Sequence, residues 1–143
     1  MLAPKFYYHL TQQTWPERIT LYPQIDGEHR SDDEPEVCRT CVAPTVEGCL
    51  IALGQCLYGC REVSIYRTVN KVKARNPYQV YDSYLTKEKW LMKPIRFMKV
   101  GFINEFLPQS VRHFCPGDYK ATPNQEMCLR ELKNLKGKFI TWI

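Results

Sequence analysis

Apolar and polar positions alternate with a period of two along several short runs of this chain and recur at helical spacing along two others, which predicts an α+β fold. Lys5 to Leu10 (KFYYHL) reads as an aromatic strand with Phe6 and Tyr8 facing one way and Tyr7 and His9 the other. Val37 to Val42 reads as a second strand. Glu62 to Val69 reads as a third, with Val63, Ile65 and Arg67 set against Ser64, Tyr66 and Thr68. Thr86 to Ile103 carries two strand segments in succession, with Pro94 forcing a bend or bulge between them and the carboxylate of Glu88 at their head. Phe139 to Ile143 closes the chain as a strand that can return to the sheet.

Two helices are expected. The first runs from Val46 to about Leu57, with Thr45 as its N-cap and Cys49, Leu50, Leu53, Cys56 and Leu57 on its buried face, and Tyr58-Gly59-Cys60 ends it. The second runs from about Gln125 to Leu135, is capped by Thr122 or Asn124, buries Met127 or Cys128 together with Leu132 and Leu135, and stops at Gly137. Trp15, Pro16 and Leu21 to Pro23 suggest an irregular segment, and Tyr78 to Leu85 fits either a strand or an ordered loop. The sum is a mixed, mostly antiparallel sheet of about five or six strands with two helices.

With 143 residues the size points to a single domain, residues 1–143, able to bury a core without covalent staples. One stretch stands apart: residues 26–36 hold six acidic side chains and no large apolar one, the composition of an exposed loop. No run reaches the roughly 18 apolar residues of a membrane span, and the first residues lack the apolar core of an export signal, so a cytoplasmic protein is expected. Charge is unevenly shared. Residues 1–60 carry 4 Lys/Arg against 8 Asp/Glu, net −4, whereas residues 61–143 carry 16 against 7, net +9. A basic half suits an anionic partner, whether a nucleotide, a nucleic acid or an acidic protein face.

The seven cysteines, an odd number, fit reduced thiols that pack as small apolar groups. Cys38, Cys41, Cys56 and Cys60 approach the spacing of a structural zinc site, without the glycine-rich knuckle. The chain has no glycine-rich phosphate loop, no paired metal histidines and no nucleophile elbow. His9-Leu10-Thr11 forms an H-x-T unit, and Arg112-His113-Phe114-Cys115 does not supply the second one that a two-histidine phosphodiesterase needs.

The order of these pieces resembles a known family. A first strand ending in His-x-Thr is followed by a strand that runs through Cys41-Val42-Ala43-Pro44-Thr45 into a helix. A third strand, Ile65-Tyr66-Arg67, and then Thr86-Lys87-Glu88-Lys89-Trp90 complete the series. The series is similar to the ADP-ribosyltransferase-like fold, and closest to small bacterial and phage members with a histidine, tyrosine, glutamate order. The resemblance spans His9 to about Ile103.

The resemblance implies binding of NAD or a related ADP-ribose nucleotide, with mono-ADP-ribosyl transfer to a protein or other acceptor. On that footing His9 would bind a ribose hydroxyl and Thr11 would shape the adenosine side. Thr45 would be the small hydroxyl residue opening the helix, and Glu88 would serve the nicotinamide ribose and the attacking group. Where the family has a tyrosine on the second strand this chain has Val42-Ala43, so Tyr66, Tyr78 or Tyr81 would supply the stacking ring. Glu88 should then face a cleft shared with His9 and the start of the Thr45 helix, with Trp90 and Met92 in the core or the cleft wall. Such a protein would act as a toxin, an effector or a modifier of a host protein. The alternative is a non-catalytic counter-defence protein that sequesters a nucleotide signal or blocks an anionic host partner.

Overall fold

The computed structural model describes residues 3–25, 35–53, 62–108, 111 and 123–143. Seven strands and three helices are named among them: β1 (Tyr8–Thr11), β2 (Arg18–Leu21), β3 (Thr40–Val42), α1 (Val46–Leu53), β4 (Ser64–Thr68), α2 (Ser83–Thr86), β5 (Lys89–Leu91), β6 (Ile95–Ile103), α3 (Pro123–Asn134) and β7 (Ile140–Trp142). The fold is α+β, and every named strand pair is antiparallel.

A five-stranded sheet runs in the order β1-β4-β6-β2, with β7 also on β6. Nine residues long, β6 is its spine: Ile95 to Met98 pair with β2 and Gly101 to Ile103 pair with β7. Between those two partners, Lys99 N–H donates to the carbonyl of Glu17 and Ile143 N–H donates to the carbonyl of Val100. A second, two-stranded sheet pairs β3 with β5. A double backbone hydrogen bond between Tyr8 and Ala43, at 2.8 and 3.1 Å, sews the two sheets together.

Residues from Thr86 to Ile103 do form two strands, and Pro94 does separate them. The two belong to different sheets, so the bend at Pro94 hands the chain from one to the other. Several sequence expectations change. Residues 18–21 are a strand rather than an irregular segment, because Ile19 and Leu21 find Phe97 and Ile95 of β6 as opposite neighbours. Residues 83–86 form a one-turn helix, which makes three helices rather than two. The first strand begins at Tyr8, with Lys5 held only by a bridge to Val72, and β3 begins at Thr40 rather than Val37. Helix α3 starts at Pro123, a residue suited to a first helical position, so Asn124 lies inside it. Its buried side chains are Gln125, Cys128, Leu129 and Leu132, whereas Met127 is exposed. The end of the first helix beyond Leu53, Thr122 and most of the acidic stretch lie outside the described residues.

The central sheet buries both faces. Leu10 and Ile65 face the helices, packing with Val46, Leu50, Leu129 and Leu132. Tyr7, Tyr66 and Phe97 face the other way, with Trp15, Ile19 and Ile95. Ile65 and Tyr66 are consecutive in β4 and so face opposite ways, and both are buried because both faces of the sheet are covered. In β6 a bulge at Val100 shifts the register, from Lys99 opposite Tyr66 to Gly101 opposite Ile65.

Candidate functional site

His9 lies on β1, on the aromatic face of the sheet opposite Tyr66. Its Nδ1 is 2.9 Å from the carbonyl oxygen of Cys41. A carbonyl can only accept, so Nδ1 carries a proton and donates. Trp15 stacks on the imidazole at 5.7 Å with planes 12° apart, and Phe97 meets it edge-on.

Tyr66 supports that stack from beneath. Its hydroxyl lies 2.7 Å from the carbonyl of Pro16 and 3.0 Å from that of Trp15, and its ring is wholly buried. Burial raises its hydroxyl pKa, with a smaller push from Glu17. Tyr66 therefore holds the Trp15 segment over His9 instead of offering a ring to a ligand. Trp15, which sequence patterning places only in an irregular segment, is the aromatic side chain beside His9. Its one sequence signal is its position just after the H-x-T unit.

Cys41 leads from His9 to the second sheet, where it pairs directly with Trp90. Trp90 is fully buried, and its indole N–H donates to Oε2 of Glu88 at 2.8 Å. The Arg39 guanidinium lies 4.5 Å above the indole and Tyr78 packs on it edge-on at 5.2 Å. Arg39 is itself fixed by donating to the carbonyls of Pro35 and Val37. Trp90 thus belongs to the core, as expected, whereas Met92 is exposed.

The start of α1 completes the junction. Thr45 Oγ1 accepts from Gly48 N–H at 3.0 Å, the expected N-cap bond. Gly48 in turn packs against the carbonyl of Thr86, so closely that a Cβ would collide with it. The hydroxyl of buried Thr86 accepts from Glu88 N–H at 3.2 Å. Cys49 lies among these groups, its thiol 3.3 Å from the carbonyl of Tyr8. Burial pushes that thiol up to about 12, and the nearby Glu88, Glu47 and Cys41 push the same way against a hydrogen bond to the Ala43 backbone.

Of the residues singled out in the sequence, Thr45 and Glu88 are linked at the start of α1 through Gly48 and Thr86, whereas His9 lies on the aromatic face of the sheet and reaches β3 through the backbone carbonyl of Cys41. Thr11 ends β1 with its hydroxyl accepting from Gln13 N–H at 3.0 Å, a turn-forming bond. Tyr78 and Tyr81 are both nearly half exposed, and Tyr78 is the one in contact with Trp90. Among the described residues no cluster of His, Cys, Asp or Glu is arranged to hold a metal ion, and Cys56 and Cys60 lie outside them. No described helix is long and apolar enough to cross a membrane. Comparison with protein-family models, curated proteins and solved structures gives no match.

Proposed function

We propose that this junction binds NAD or a related ADP-ribose nucleotide and transfers ADP-ribose to a protein or other acceptor. One observation carries the reading: the Cys41–Trp90 strand pair joins a carbonyl-anchored imidazole to an indole-anchored carboxylate. The two side chains come from positions 9 and 88, and this strand pair is what links them.

The residue types suit the chemistry. Breaking the bond between ribose C1′ and the nicotinamide nitrogen sends the electron pair out with nicotinamide and leaves an oxocarbenium-like centre. A fixed carboxylate stabilises that charge more effectively than water, because it needs no reorganisation. The acceptor's nucleophilic atom then bonds to C1′ and its proton passes to Glu88 or solvent. An imidazole can donate to or accept from a ribose hydroxyl. The exposure of Tyr78 beside Trp90 supports it as the ring that would pack on nicotinamide.

A second reading, nucleotide sequestration without turnover, is favoured by one detail. The hydroxyls of Thr11, Thr45 and Tyr66 are all engaged with the protein backbone, and Oε2 of Glu88 accepts from the Trp90 indole.

Free nicotinamide, measured after incubation with NAD alone and with cell lysate, separates the two. Transfer predicts release that falls roughly a hundredfold or more in Glu88→Gln. No release under either condition overturns the enzyme reading, and nucleotide affinity that is then lost in His9→Ala establishes sequestration.

A further inference from the structure

Among the described residues, helices cover only part of the helix-facing side of the central sheet. Near Leu10, Ile65 and Ile103 it packs into the core with α1 and α3. Further along, the register sets Tyr8 opposite Arg67, Arg67 opposite Met98 and Met98 opposite Arg18, so these four side chains share one face across four strands. Thr20 and Arg96 form the next row on the same face. Arg18 and Arg96 are exposed, and Arg67 is half-buried with its guanidinium 4.3 Å over the Phe6 ring. Lys71 approaches the same ring at 5.7 Å. The strand positions on this face hold no Asp or Glu, and the described Glu17 acts on Tyr66 on the opposite side.

Aromatic surface adjoins the cations. Trp142 pairs with Gly101 and lies 6.4 Å from the ring of Tyr8. With no side chain on Gly101 the indole can rest on the sheet, its Cε3 only 3.3 Å from where a Cβ would stand, and the residue remains 53% exposed. An arginine row continuous with a flat, open indole is the combination that tracks a phosphate backbone while stacking its bases. An acidic protein face would use the arginines and leave the indole idle.

We infer that this shelf binds single-stranded nucleic acid, with Arg18, Arg67 and Arg96 on successive phosphates and a base stacked on Trp142. It lies across the sheet from His9, so the inference does not rest on the nucleotide reading.

Fluorescence anisotropy of a short labelled oligothymidylate with the whole protein tests it. Three phosphate contacts predict that log K falls against log salt with a slope of about −2. The exposed pair Arg18→Glu with Arg96→Glu should weaken binding at least tenfold with an unchanged thermal melt. Trp142→Ala should weaken it roughly tenfold and Trp142→Phe should restore most of that loss, because the stacking surface returns. No binding, or binding indifferent to these changes, overturns the inference. So does a duplex of the same length or a polyglutamate peptide competing as well as the single strand, since either marks a surface that attracts any polyanion.

Discussion

Glu88 and Trp90 lie two positions apart at the head of β5, and the indole N–H of Trp90 donates to Oε2 of Glu88 at 2.8 Å. Positions i and i+2 of an extended chain face the same way, so the bond is local in sequence. Its rigidity is not local, since Arg39 from above and Tyr78 at the edge fix the indole.

A hydrogen bond to an ionised carboxylate contributes about 1.5–3 kcal/mol. Trp90→Phe keeps most of the buried ring and removes the donor, so it should lower unfolding stability by about 2–3 kcal/mol. Glu88→Gln retains an acceptor oxygen and should cost less than about 1 kcal/mol. Urea titration of both variants measures this, and a Trp90→Phe cost below about 0.5 kcal/mol would mean that the bond is not formed in solution.

The contact of Gly48 with Thr86 reverses the usual effect of glycine in a helix. Alanine there gains about 1 kcal/mol of helix propensity. Its Cβ meets the Thr86 carbonyl, and a backbone clash in a packed core costs about 1–3 kcal/mol. Gly48→Ala should therefore destabilise the protein and displace Glu88, whereas Thr45→Ala should cost about 1 kcal/mol through the lost cap alone. Thermal melts give the first effect, and a Gly48→Ala variant more stable than the parent would show that the two backbones are not in contact.

Burial raises the carboxyl pKa of Asp82, against a lowering from the 3.1 Å hydrogen bond donated by buried Gln125. A raised folded-state pKa means that the folded protein holds this proton more tightly than the unfolded chain. Stability from this group is therefore fully present below the ordinary carboxylate range and is lost as pH rises through the raised value. Asp82→Asn removes the charge and keeps an oxygen for Gln125, so it should be more stable than the parent at neutral pH. That advantage should shrink as pH falls through the carboxylate range. A constant difference across pH would assign the effect to packing.

Thiol chemistry should divide the cysteines by position. Cys38 is exposed, whereas Cys49 is buried with its pKa pushed up to about 12. Thiolate is the reactive form, so alkylation of the folded protein at mildly alkaline pH should label Cys38 and spare Cys49 until denaturant is added. Peptide mass spectrometry resolves the two. Early labelling of Cys49 would require that the junction around Tyr8 and Ala43 opens readily.

Much of this was legible along the chain because the signals were local. Thr45 reads as a cap from its place before an apolar run, and Pro94 reads as a break between strands. The alternation of β1, β4 and β6 is visible in short windows. Residues 18–21 gave no such signal: Arg-Ile-Thr-Leu after a proline is a strand only because β6 lies alongside. Likewise Pro94 announces a bend without saying that it leads to a different sheet. At the site, sequence order brought His9, Thr45 and Glu88 into consideration. The burial of Tyr66 is not legible in its own window, because the aromatic cluster that covers it comes from other strands, and the stack of Trp15 on His9 is not legible because it needs Tyr66 behind it.

The spine position of β6 also bears on how the chain reaches this state. No named strand pair is a hairpin: β1 waits for β4, β2 for β6 and β3 for β5. Closing such separated pairs costs loop entropy before any contact rewards it, which places folding in the slower, millisecond-to-second class. During synthesis the first three strands emerge before their full partners exist, so the ribosome must deliver residues 95–103 before the sheet has a centre. Slow-folding variants should therefore cluster in β6.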